Sequence, residues 1–163
     1  MNNREIARVF GDIANLLGVQ QDSPFKIRAY RDAARVIESY PEEMSVIVAR
    51  GGDLQEINGI GEAIAKKTVE LVTTGRLEFF ERLKESAPAG VLDLMRIPGV
   101  GPKTASRLTR ELGISSIEDL DEALESGAVK QLPGLGARAV RALRAGVERY
   151  RRAEATEFGQ RTP

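Results

Sequence analysis

The chain has 163 residues, 42% hydrophobic and 29% charged, and its 24 basic and 24 acidic side chains cancel to zero net charge. That is the make-up of a soluble globular protein, one domain or two small ones. It has no cysteine and no histidine, which excludes disulfides, thiolate or imidazole zinc sites, cysteine nucleophiles and a Ser-His-Asp triad, leaving lysine, tyrosine, carboxylates and backbone to do any chemistry. No apolar run has the length of a membrane span, and the opening Met-Asn-Asn-Arg-Glu lacks a signal-peptide core, so a cytoplasmic protein is expected.

The elements read as short helices in chain order. Asn2 or Asn3 can cap a first helix in which Ile6, Val9, Phe10, Ile13, Leu16 and Leu17 follow three-four spacing, with Gly18 as its stop. Ser23-Pro24 opens a second helix to about Ser39, serine as cap and proline at the first helical position. Pro41 starts a third that ends at Gly51-Gly52. Asp53 caps a short helix, Gly61 begins a longer one to Thr74-Gly75, and Glu78 to Ser86 forms another. Ala87-Pro88-Ala89-Gly90 marks a boundary. Beyond it come a short helix to Met95, one from Pro102 to Leu112 stopped by Gly113, one from Ile117 to Glu125 opened by a Ser116/Asp119 capping box, and a last from Ala137 to about Arg152. Residues 153–163 have little apolar content and read as a flexible tail, where a longer protein continues or a shorter relative stops. No stretch alternates at period two. The expected fold is all-α with no sheet: two small helical subdomains, 1–86 and 91–152.

One short pattern occurs three times: Ile57-Asn58-Gly59-Ile60-Gly61, Ile97-Pro98-Gly99-Val100-Gly101 and Leu132-Pro133-Gly134-Leu135-Gly136. Each copy has an apolar residue three positions upstream (Leu54, Leu94, Val129) and a small or β-branched one four positions after its last glycine (Ala65, Ala105, Val140). Gly-apolar-Gly between helices makes a tight turn in which glycine tolerates positive φ and leaves out a Cβ that would block a close approach. The second glycine opens a helix, so unbonded N–H groups point outward at its positive end, a setting for phosphate. Three such sites imply a ligand with repeating phosphates, a nucleic acid. The expected backbone contacts are Gly59, Ile60 and Gly61, then Gly99, Val100, Gly101, Lys103 and Thr104, and then Gly134, Leu135, Gly136 and Arg138. Such contacts carry no sequence information, so DNA structure rather than sequence is the expected determinant.

Charge is segregated despite the neutral total. Lys26, Arg28, Arg31 and Arg35 face only Asp32 within residues 24–35, and the last helix is rich in arginine. The compensating acid, Glu118, Asp119, Asp121, Glu122 and Glu125, sits in one stretch, so a basic side can still hold a phosphate backbone. On the helix after the first hairpin, Lys67 borders the apolar stripe of Ile64, Ala65, Thr68, Leu71 and Val72, whereas Lys66 points nearly away from it. Partial desolvation and a neighbouring ammonium favour a neutral amine, the form that attacks carbonyl carbon. The plainer reading is two solvated lysines.

The pattern apolar-x-x-apolar-x-Gly-apolar-Gly-x-x-x-Ala resembles the helix-hairpin-helix motif. The order of motifs resembles the amino-terminal part of the family X DNA polymerases, the group containing DNA polymerase beta. The matching stretches are Phe25 to Ala34, Ile57 to Gly61 with Lys67 and Thr74-Gly75-Arg76-Leu77 beyond, Ile97 to Ala105, and Gly113-Ile114 with Ile117 to Leu120. The resemblance implies a lyase domain at 1–86 that grips the 5′-phosphate side of a gap, and a fingers-like subdomain at 91–152 that grips duplex DNA. It implies Lys67 as the Schiff-base lysine of 5′-deoxyribose-phosphate removal and Lys26 and Tyr30 as 5′-phosphate-binding residues, and Lys66 is expected to join them in binding the 5′-phosphate. It also implies a monovalent cation, K+ or Na+, on hairpin carbonyls, with no other cofactor required. Vertebrate members carry phosphate-binding lysines where this chain has Gln55 and Ala63, and a glutamate where it has Lys66, which makes the pocket poorer in charge on one side. The third full hairpin resembles the bacterial or archaeal branch.

A family X polymerase needs a carboxylate triad on a palm sheet, and no strand appears here. Asp119-Leu120-Asp121 lies within an amphipathic helix and reads as solvated surface. The expected partner is therefore gapped, nicked or 5′-phosphorylated duplex DNA, bound without a membrane or small-molecule cofactor by a nucleoid-associated, cytoplasmic protein. The alternatives are a non-catalytic helix-hairpin-helix module and a helical protein-interaction domain.

Overall fold

The computed structural model describes residues 1–161, which form nine α-helices and two single 3-10 turns, with no strand among them. The chain divides into two compact units at Ala87/Pro88. None of the described helices is long and apolar enough to cross a membrane.

Unit 1 contains α1 (Asn3–Val19), α2 (Pro24–Ser39), α3 (Met44–Ala49), α4 (Glu62–Thr74) and α5 (Glu78–Ser86), with a 3-10 turn at Leu54–Glu56. Its core is the fully buried face of α1, Ile6, Phe10, Ile13 and Leu16, closed by Ile37, Met44, Leu71 and Leu77. Asn2 takes the cap of α1 in a reciprocal box with Glu5. Asn3 does something else. Its side chain is 5% exposed and clasps the 40–44 loop, donating to the Glu42 carbonyl at 2.9 Å and accepting from the Met44 amide at 2.7 Å. That clasp sets the start of α3 at Met44, three residues beyond the Pro41 start expected from sequence. Gly18 likewise fails to stop α1. The helix runs to Val19 because Leu16, Leu17 and Val19 are buried, and the chain leaves it through Gln21 at φ 56°.

Unit 2 contains α6 (Val91–Met95), α7 (Pro102–Leu112), α8 (Ile117–Ser126) and α9 (Ala137–Arg161), with a 3-10 turn at Val129–Gln131. Leu94, Ile97, Ala105, Leu108, Leu120 and Val129 form its core. Gly90 is obligatory on two counts: its φ is +80°, and an added Cβ would lie 2.0 Å from the Ser115 carbonyl oxygen. Gly146 lets α9 reach the second hairpin, since a Cβ there would lie 2.4 Å from the Pro98 oxygen. The Ser116 hydroxyl caps α8 by accepting from the Asp119 amide, while the Asp119 carboxylate accepts from the amide and hydroxyl of Ser115 rather than closing a box on Ser116. Those bonds hold the Asp119 carboxyl below the usual carboxylate range.

The expected tail needs correcting. Residues 153–161 continue α9, while 162 and 163 lie outside the described residues. Sparse apolar content meant that these turns bury nothing, and residues 153–159 are indeed exposed. It did not mean absence of helix, because Ala153, Glu154, Ala155 and Glu157 are good helix formers. Contacts one turn apart, Tyr150 with Glu154 and Arg152 with Glu148, add support.

Candidate nucleic-acid interface

The three hairpins share one hydrogen-bond ladder. In the first, Ile57 N–H donates to Leu54 O at 3.1 Å, Ile60 N–H to Ile57 O at 3.1 Å and Ala65 N–H to Gly61 O at 2.9 Å. The corresponding bonds run Ile97 to Leu94 (3.1 Å), Val100 to Ile97 (3.0 Å) and Ala105 to Gly101 (2.9 Å), and then Leu132 to Val129 (3.1 Å), Leu135 to Leu132 (3.1 Å) and Val140 to Gly136 (3.0 Å). The leading glycines have φ of +99° (Gly59), +90° (Gly99) and +80° (Gly134), which is why glycine stands there.

The second glycines are a different matter. Gly61 (φ −87°) and Gly101 (φ −94°) have backbone that any residue adopts, and a Cβ at Gly61, Gly101 or Gly136 meets nothing within 4 Å. Gly61 and Gly101 stand at helix N-caps, where glycine is favoured over alanine, and the missing side chain leaves these helix starts open from outside. No side chain caps α4 or α7. Their first-turn amides are therefore unbonded donors at the positive end of a helix. Lys103 is exposed and Thr104 half-buried on the first turn of α7, and Arg138 is exposed on that of α9.

The first hairpin opens onto side-chain chemistry. A cleft of about 480 Å³ brings together Lys26 and Tyr30 from α2, Gly59 and Gly61 from the hairpin, Lys67 from α4 and Phe79 from α5. Helical spacing places Lys26 and Tyr30 one turn apart on the same flank. Tyr30 is 7% exposed, stacked on Phe79 with ring centroids 6.1 Å apart. Burial pushes its phenol above the usual tyrosine range, so it is a neutral donor. Lys67 is half-buried, its Nζ 4.8 Å from the centroid of the Phe79 ring, a cation–π contact that aims the side chain along the cleft. Phe79 was missed in the sequence because its apolar spacing marks core, and nothing in that spacing discloses which lysine it meets.

Lys66 stands apart from this group. It does not line the cleft; it is 76% exposed and paired with Glu62 at 3.1 Å. Glu62 does line the cleft, so Lys66 offsets a carboxylate that opposes an anion there. Lys26 lies 3.7 Å from Asp22. Phe25, at the start of α2, is 82% exposed.

The expected basic side of the last helix is partly consumed within unit 2. Arg144 donates to the Leu124 carbonyl at 2.9 Å, Arg151 pairs with Asp121, and Arg152 with Glu148. Asp119 and Asp121 are thus both engaged, and among the described residues no cluster suited to a metal ion occurs. At the third hairpin Arg107, half-buried on α7, donates to the Pro133 carbonyl at 2.7 Å.

Comparison with known proteins gives the same division. Residues 1–77 match the description of a helix-hairpin-helix domain, and residues 91–149 that of a SAM-like helix-hairpin-helix tandem. With three superposable ladders, this is a helix-hairpin-helix protein. Over 136 residues it is 32% identical to the DNA polymerase/3′-5′ exonuclease PolX of Bacillus subtilis (strain 168), an alignment covering 83% of this chain and 23% of that protein. Over 119 residues it is 31% identical to DNA polymerase lambda of Arabidopsis thaliana, covering 72% of this chain and 21% of that one. The chain belongs with the amino-terminal region of the family X DNA polymerases, and it spans less than a quarter of the length of either relative.

Proposed function

We propose that the protein binds DNA through the sugar-phosphate backbone without reading sequence, and that unit 1 receives the 5′-phosphate side of a gap or nick. The observation that carries this reading is the single cleft in which Lys26, Tyr30 and Lys67 face the uncapped start of α4 across Gly61. A terminal phosphate there meets backbone donors, the helix dipole, an ammonium and a phenol that stays neutral. Phe25 offers an unpaired base a ring to stack on. In unit 2, Gly101, Lys103 and Thr104, with Gly134, Leu135, Gly136 and Arg138, take internal phosphates of the duplex. K+ or Na+ is proposed for the first two hairpins, since a guanidinium already donates to a carbonyl of the third.

Lys67 is the proposed nucleophile. Its neutral amine adds to C1′ of the ring-opened 5′-deoxyribose phosphate, and loss of water gives an imine. Removal of a C2′ proton then breaks the C3′–O bond and expels the 3′ phosphate with the downstream strand. Hydrolysis of the imine frees the amine. A plain backbone clamp is the competing reading, favoured by Glu62 at the cleft.

Borohydride trapping tests the proposal. A nicked duplex bearing a 5′-deoxyribose phosphate is expected to yield a reduced covalent adduct with the parent and with Lys66→Ala, and none with Lys67→Ala. No adduct with the parent, alongside equal affinity for gapped and intact duplex, would leave only the clamp.

A further inference from the structure

The helix that gives Lys26 and Tyr30 to the cleft carries a row of arginines on its other flank. At about 100° per residue, Arg28, Arg31 and Arg35 fall within about 60° of one another, on the side of α2 away from Lys26. They line a shallow groove of about 610 Å³ with Pro24, Ile27 and Asp32. The sequence groups these arginines with Lys26 as one basic segment; the structure divides them between two surfaces.

The row is not consumed by the fold. Arg35 pairs with Asp32, the one carboxylate in the groove, and remains 77% exposed. Arg31 donates at 3.0 Å to the neutral amide oxygen of Asn15. Arg28 is exposed. The groove therefore keeps a net positive charge, with Pro24 and Ile27 as an apolar floor. Helical rise spreads the three Cα atoms over about 10 Å. At about 3.4 Å of rise per phosphate in a stacked strand, that length spans about three phosphate-to-phosphate steps.

We propose that Arg28, Arg31 and Arg35 form a second backbone track, occupied by the uninterrupted strand opposite the 5′ end that the cleft receives. This rests on the DNA-binding reading above. A strand that ends in the cleft is separated from the row by the width of a helix, about 10 Å. The partner strand, held at duplex distance from that end, meets the far flank of α2 without any need to wrap it. Unit 1 then grips both strands, so a 5′ phosphate in a duplex is preferred over the same phosphate on a free single strand.

The test uses the whole chain with Arg28→Gln, Arg31→Gln and Arg35→Gln combined, its fold checked by an unchanged melting temperature. On a gapped, 5′-phosphorylated duplex the triple variant is expected to bind about tenfold more weakly, with a log–log salt dependence shallower by about two units. Its preference for 5′-phosphate over 5′-hydroxyl is expected to persist. Three neutral methylphosphonate linkages in the uninterrupted strand should weaken the parent comparably and leave the variant unaffected. Unchanged affinity in the variant, or equal sensitivity of both proteins to those linkages, overturns the track while the cleft reading stands. Loss of poly-glutamate binding without loss of DNA binding overturns it in favour of an acidic protein partner. A parent that binds no DNA overturns both readings.

Discussion

The hairpins of the two units are the same backbone object in different surroundings. The first two place uncapped amides beyond a glycine whose side the protein leaves empty, and the side of Gly136 in the third is empty too. In unit 1 that edge faces a buried tyrosine, a half-buried lysine and an aromatic ring. In unit 2 the second hairpin is seated on α9 at Gly146, with Lys103 and Thr104 on the turn that follows. The third is the least packed, with Leu132, Leu135 and Val140 half-buried where Ile57, Ile60, Ile97 and Val100 are buried. The difference teaches that the hairpin is a generic backbone frame, and that the flanking helices decide which side chains its open edge meets.

The largest expected effect breaks the seat of the second hairpin. Gly146→Ala drives a methyl group against the Pro98 carbonyl. The clash should destabilise unit 2 by about 1–3 kcal/mol, exceeding the helix-propensity gain of about 1 kcal/mol. Calorimetry should show the unit 2 transition falling while that of unit 1 stays. An unmoved or raised transition would mean that α9 is not seated on the hairpin.

A smaller effect sharpens the comparison. Gly61→Ala and Gly101→Ala meet no atom of the fold and need no unusual φ, so each should cost only the N-cap preference of glycine over alanine, up to about 1 kcal/mol. Each should nonetheless lose at least about fivefold in DNA affinity, roughly the worth of one hydrogen bond. Gly61→Ala should erase the preference for a 5′ phosphate, and Gly101→Ala should weaken all duplexes alike. Titrations with matched substrates separate the two, and equal behaviour of both variants would collapse the distinction between the units.

The smallest effect is in pH. Burial raises the Tyr30 phenol above its ordinary value of 10.0 in the folded state. Below that value both states are protonated and nothing changes. As pH rises past it the unfolded chain releases its proton first, so unit 1 loses stability up to the folded value. Denaturant melts between pH 8 and 11 should show a slope in unit 1 that Tyr30→Phe flattens; an unchanged slope would place the titrating group elsewhere.

Much of this was legible because the signals are local. Ser23-Pro24, Gly75 and Gly113 bound their helices as their chemistry dictates, and the repeated glycines fixed the ladders. Lys67 at the edge of an apolar stripe was read from spacing, and the structure places it half-buried there. What stayed hidden acts across the chain. Asn3 sets the start of a helix some 40 residues away, Phe79 lies over Lys67 only once α4 and α5 have packed, and Gly146 matters only because Pro98 lies against it. No local period encodes such encounters. Lys66 shows the reverse: a cation beside Lys67 in sequence whose partner is one helical turn back.

The ladder bonds that lock each turn are made within the protein before any ligand arrives. Capture at a hairpin therefore costs little backbone conformational entropy, and the ordering left to do falls on long cationic side chains and on the nucleic acid. Calorimetric heat capacities of association should accordingly be small for the hairpin contacts, the mark of rigid docking without coupled folding.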